Sequence, residues 1–257
     1  NQYFKMAASD QSATDLINLY LEESGKDKEG RPFGKYPVIA LPTPGLTTFN
    51  TGSGSVVRAG IEHRGVAYFI VDNKFYSYNS SGTRTERGTL NTSTGNIQLA
   101  SISNQIEIVD GTDIYNYNTG STVFTTVSDA DRPSNPVTVT AQDETFLIGS
   151  TNSLVIAGSD VADGTSFAAL SFGSKKGPGD YVNCLISNKE LVYIFGDYTS
   201  DVWFNSGAAT FSFESVGPGS FIHYGCAARQ SVCIGMNNVF LLAQSKTGGK
   251  QVVRMQQ

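Results

Sequence analysis

Charge is scarce in this chain. Only 16% of its 257 residues are Asp, Glu, Lys or Arg, and they sum to −5 at pH 7 with a pI near 5.0. Such a surface does not grip nucleic acid by neutralising phosphates over a broad face, although it is compatible with DNA that slides past. Histidine is scarcer still. His63 and His223 are the only two, and neither stands near a nucleophile motif such as Gly-x-Ser-x-Gly. Three cysteines, Cys184, Cys226 and Cys233, cannot all pair and fit no zinc spacing, so they read as small buried apolar residues. No apolar run approaches the roughly 20 residues that cross a bilayer, and nothing at the N-terminus has the order of a secretion signal. A soluble protein without a membrane anchor is expected. Gly52-Ser53-Gly54-Ser55 lacks the lysine and helix that phosphate binding by a Walker loop requires, and reads as a flexible loop.

Aromatic residues and glycine are plentiful. Tyr (12), Phe (15) and Gly (27) favour strands and tight turns over helices, and a 27.5 kDa chain can bury about 70% of its extended surface. The stretch from Leu191 to Gly207 sets the pattern. Apolar Leu191–Phe195 and Val202–Phe204 flank a polar turn, and the second segment carries Trp203, the one tryptophan. The same hairpin recurs along the chain: Phe69–Asn79 matches Ile108–Asn118 almost position for position, and weaker copies lie at 146–156 and 232–242. With Tyr76, Tyr115, Val155, Trp203 and Phe240 as equivalents, the period is about 40 residues, the spacing of propeller blades. The expected fold is all-β, a β-propeller of four-stranded blades with five visible repeats. One such blade leaves both faces apolar and needs neighbours. A ring of five can close; six blades are expected, the sixth supplied by the N-terminal hairpin or by sequence beyond Gln257.

Ahead of the repeats, residues 1–15 have no clear period. Leu16–Leu21 and Tyr36–Leu41 read as two strands, or the first as a short helix, around a tip whose Gly25, Gly30, Pro32 and Gly34 break any helix. Residues 1–41 therefore form an arm and hairpin, and 42–257 the propeller. Lys26, Lys28, Arg31 and Lys35 make the tip locally basic and are candidate partner contacts.

Chemistry is hard to find. Ser159–Phe167 resembles the Asp-box turn of sialidase propellers, but its spacing differs. Asp160 and Asp163 read as turn residues before calcium ligands. The tyrosines of Tyr76-Ser77-Tyr78 and Tyr115-Asn116-Tyr117 could stack on sugar rings, but packing between blades accounts for their repetition better. No cofactor, metal or catalytic residue is expected. A receptor-binding lectin propeller is the main alternative function, and a glycan hydrolase the second.

The serial order of Asn18–Glu22, Leu41–Leu46, Val57–Gly60, Ile108–Gly111 with Tyr115–Tyr117, Asp163–Phe167 and Thr199–Gly207 resembles the packaged-DNA stabilisation proteins. These are tail-hub or head-closure components of short-tailed bacteriophages. The likeness spans residues 16–243. It implies a structural virion protein of the phage tail without enzymatic activity, assembled in the host cytoplasm as a homohexamer. Its implied partners are the portal-adaptor ring, tail needle, spike or fibre proteins, and packaged DNA that passes without tight binding. The resemblance also leads one to expect a C-terminal part that this sequence does not contain.

Overall fold

A computed structural model describes residues 56–176, 180–217 and 221–255, strands at 19–23 and 38–42, and the single residues Glu29, Gly52 and Gly54. The chain divides into two compact units, 1–49 and 50–257. In the first, β1 (Leu19–Glu23) pairs antiparallel with β2 (Val38–Pro42), with Leu21 opposite Ala40. The hairpin expected from the sequence is present, its first strand displaced toward the tip. Lys26, Lys28, Arg31 and Lys35 lie outside the described residues.

The second unit is a series of antiparallel sheets. The first four each take four consecutive strands in simple meander order: β3–β6 (Val57–His63, Val66–Val71, Lys74–Tyr78, Arg84–Thr89), β7–β10 (Gln98–Ile102, Gln105–Val109, Ile114–Asn118, Val123–Thr126), β11–β14 (Pro136–Gln142, Thr145–Ser150, Val155–Gly158, Phe172–Ser174) and β15–β18 (Cys184–Asn188, Leu191–Phe195, Ser200–Asn205, Phe213–Ser215). We call them blades 1 to 4. Strands of alternating residues joined in sequence by loops, the tightest of them two residues long, produce this order, because adjacent antiparallel strands need no crossover. Arg64-Gly65, Asp143-Glu144 and Met236-Asn237 each place both turn residues at positive φ, the geometry whose twist matches the flanking strands.

Blade 5 departs from the pattern. β19 (Gly225–Cys226) and β20 (Cys233–Gly235) pair with opposite ends of one edge of β21 (Asn238–Gln244), and β22 (Gln251–Met255) takes the other edge. The blade thus has three strand positions among the described residues, the first interrupted. Its tight turn at Met236-Asn237 joins the first and second positions, as Arg64-Gly65 does in blade 1. Phe240 is therefore a second-strand residue, while Tyr76, Tyr115, Val155 and Trp203 lie on third strands. The sequence equivalence slips by one strand here, since one short apolar hairpin looks much like the next.

The core consists of layers between blades. Ile106 and Ile108 of β8 pack with Tyr68, Ile70 and Phe75 of blade 1. Phe146 and Ile148 of β12 face blade 2, while Leu147 between them faces blade 4. Val192 and Ile194 of β16 turn to blade 3, and Tyr193 and Phe195 to blade 5, against Val239 and Leu241. Period-two alternation thus feeds two interfaces at once, each fully buried Ile or Phe contributing roughly 1.5–3 kcal/mol. That is why these strands are apolar on both faces. Among the described residues no such layer joins blade 5 to blade 1.

Candidate functional site

The first strands of the blades lie beside one another, too splayed for a backbone ladder, and side chains satisfy amides between them. Val139 N donates to Gln98 Oε1 (3.1 Å), Leu185 N to Thr138 Oγ1 (2.8 Å) and Ser187 N to Thr140 Oγ1 (2.9 Å). In blade 5 the first strand is broken by residues 227–232, which include a 3-10 turn at Arg229–Ser231. Ser231 repairs the gap. Its Oγ accepts from Leu242 N (3.0 Å) where a strand carbonyl would have stood, and donates to Ala228 O (2.6 Å).

The excursion carries Arg229 across to other blades. Its Nε donates to Asn183 O (2.6 Å), Nη2 to Asn183 Oδ1 (3.2 Å) and Nη1 to Val137 O of β11 (3.2 Å). Facing the same cavity is Arg58 of β3, whose Nη1 donates to Asp72 O (3.0 Å) and Thr92 O (2.7 Å), Nη2 to Thr92 Oγ1 (3.1 Å) and Thr94 O, and Nε to Gly95 O (3.2 Å). Burial draws both guanidiniums below the ordinary arginine value, with the more distant Asp110 opposing it for Arg58. The cavity measures about 300 Å³ and is walled by residues of β3, β7 and β11 and by the excursion. Residues of blades 1, 2, 3 and 5 all contribute to its wall.

The polar groups elsewhere are structural. Asp160 Oδ2 accepts from Ser166 Oγ (2.7 Å), and Asp163 Oδ1 from the amide and hydroxyl of Thr165 (2.9 and 2.7 Å), so both tie the loop that the sequence marks as a turn. The same loop docks on blade 2: Gly164 N donates to Gln105 Oε1 (2.8 Å) and Gln105 Nε2 to Ala162 O (2.9 Å). Beside it Glu107 is fully buried. Asn116 Nδ2 donates to its Oε2 (2.7 Å), Oε1 has no partner among the described residues, and burial raises its pKa well above the carboxylate range, which favours the neutral form. Among the described residues no three His, Cys, Asp or Glu side chains group as metal ligands.

His63 is buried at the end of β3, and burial, with the Arg64 charge, holds it below the ordinary histidine value; His223 stacks edge-on against Phe221. Tyr78, Tyr115 and Tyr117 are buried and Tyr76 lies 4.5 Å beneath the Arg84 guanidinium, which fits packing and removes Tyr115 and Tyr117 as a sugar platform. Cys184 and Cys226 are buried as expected. Cys233 is exposed, because it lies on the face of blade 5 turned away from blade 4. The sequence reading missed Arg229, Gln98 and the Lys175–Asp180 pair; the only available signal for Arg229 was a polar interruption of an otherwise apolar strand.

Consecutive four-stranded antiparallel sheets packed face to face, with successive first strands side by side, define a β-propeller fold. The chain belongs to the phage stabilisation family described as Bacteriophage P22 Gp10, β-propeller, whose model matches residues 31–257. No curated protein matches. Among solved structures it is similar to the computationally designed Ika8 protein (TM-score 0.52, 13% identity, over 79% of this chain and 60% of that one). It is also similar to the extracellular domain of the putative one component system BT4673 from B. thetaiotaomicron (TM-score 0.50, 14% identity, over 76% of this chain and 27% of that one). At such identities they share a fold alone. This chain spans about a quarter of the second structure and three-fifths of the first.

Proposed function

We propose that this protein acts as a tail hub, or head-closure component, of a short-tailed phage virion, bearing load by shape and doing no chemistry. Membership of the Gp10 family carries the reading. In it, homohexamers dock below the portal and its adaptor ring, help to retain packaged DNA, and connect to needle, spike or fibre proteins. Two features support a load-bearing part. The blades are locked by buried apolar layers, and Arg229 ties three of them together through short polar bonds. A net charge of −5 suits a wall past which DNA must later move. Six copies in a closed ring need complementary opposite surfaces on each subunit.

The adaptor contact is assigned to the N-terminal hairpin tip, with Lys26, Lys28, Arg31 and Lys35 as the contacting cations. Deleting residues 22–35 should spare the propeller and abolish docking to portal–adaptor particles. Electron microscopy of virions, with the deletion supplied in trans, is the test: normal incorporation of the shortened protein removes the assignment, and absence of the intact protein from tails removes the function.

A further inference from the structure

The cavity between Arg58 and Arg229 has a chemical character that its structural role does not require. Its lining comprises Arg58, Ala59, Gly60, Asn96, Ile97, Gln98, Leu99, Val137, Arg229, Gln230 and Val232, and so contains two arginines and no carboxylate, within a chain that is acidic overall. Neither arginine has an ion-pair partner among the described residues; both are held by carbonyl, amide and hydroxyl oxygens. The nearest acids sit one group further back. Thr92 Oγ1 relays from Arg58 to Asp110 Oδ2 (2.6 Å), and Asn183 Nδ2 donates to Asp197 Oδ1 (3.1 Å) behind Arg229. These relays orient the guanidiniums without occupying the space before them.

The donors are also incompletely used. Arg58 spends all five N–H groups on the protein, whereas Arg229 spends three and keeps two. Asn96 and Gln230, both exposed, have amide groups that make no hydrogen bond to another described residue. A fixed positive charge, a second guanidinium with spare donors, and two amides around about 300 Å³ match a small tetrahedral oxyanion with its water. At about 300 Å³ the space is too small to admit a duplex.

We propose that this cavity binds a small phosphate-class oxyanion, which neutralises Arg58 and Arg229 and ties blade 5 to blades 1, 2 and 3. Wherever the protein sits in a virion, this site belongs to the single chain, so its success or failure is independent of the tail-hub reading. The probe is inorganic phosphate, titrated into the whole protein against sodium chloride of equal ionic strength, with the thermal midpoint and Trp203 emission as readouts. A second arm uses a short single-stranded oligonucleotide. The midpoint should rise with phosphate and saturate, unlike chloride. The doubly substituted Asn96→Asp, Gln230→Glu protein should need about tenfold more phosphate or greater for the same rise. Both positions are exposed, so the variant folds; Gln230→Glu alone serves as a second check. Three results overturn the proposal: phosphate and chloride acting alike, a linear unsaturated rise equal in wild type and variants, or variant-sensitive binding of the oligonucleotide without binding of phosphate.

Discussion

Removing the carboxylate of Asp180 tests how blades 3 and 4 are joined. Lys175 follows β14, Asp180 precedes β15, and both are almost wholly buried, with Nζ 3.4 Å from Asp180 Oδ2. The carboxylate accepts from the amides of Asp197 (2.7 Å) and Thr199 (2.7 Å), from Tyr198 N (3.2 Å) and from the Thr199 hydroxyl, and so organises the whole turn between β16 and β17. Burial by itself would raise its pKa; the Thr199 hydroxyl, the amides and the Lys175 ammonium outweigh that and hold it below the usual range. Asp180→Ala strips these partners and leaves a buried ammonium whose remaining bonds go to Thr199 Oγ1 (2.6 Å) and Asp180 O (3.2 Å). Breaking a buried pair from one side costs about 3–5 kcal/mol. Lys175→Met keeps the carboxylate on its amides and should cost about 1–3 kcal/mol. The double variant should fall short of the sum by about 1 kcal/mol or more, since it no longer buries a lone charge. Urea unfolding followed through buried Trp203 in blade 4 measures all three. The contribution of a depressed carboxyl is complete above its unfolded pKa of about 3.9 and fades as pH falls toward the folded value, so the gap between wild type and Asp180→Ala should narrow in acid. A loss below about 1 kcal/mol for Asp180→Ala, or strict additivity, would refute the reasoning.

Glu107, raised chiefly by burial against the opposing Asn116 bond, has the reverse linkage. Because its folded pKa is raised, its contribution is complete below the unfolded value of about 4.3 and is lost as pH rises through the folded one; Glu107→Gln should flatten that decline in denaturation curves measured across the range. Ser231→Ala removes the oxygen that receives Leu242 N and should cost about 1–3 kcal/mol by urea unfolding, while Ser231→Thr recovers part of it. Of the three thiols, burial pushes Cys184 up to about 11 and raises Cys226, whereas Cys233 is exposed; a thiol reagent should titrate one group per native chain and all three in denaturant.

Much of the architecture can be read from alternation alone. Ile106-Glu107-Ile108 and Val192-Tyr193-Ile194 show apolar residues on successive positions or on one clear face, and the polar punctuation between them marks the turns that the structure contains. Such patterns report local backbone geometry, which a strand's own residues dictate. Where two hairpins look alike the pattern cannot say which pair of strand positions it occupies, and Phe240 was displaced by one for that reason.

The composition and the period of about 40 residues thus determined, without coordinates, that the chain is all-β and built of repeated sheets that need neighbours. The tertiary structure alone decided what the isolated polar residues do. Arg229 meets Asn183 across 46 positions and Val137 across 92, and burial beside the docked loop of the next blade raises the pKa of Glu107. Charge state and hydrogen bonding depend on the dielectric and the partners that folding brings close, and nothing in the immediate sequence encodes either.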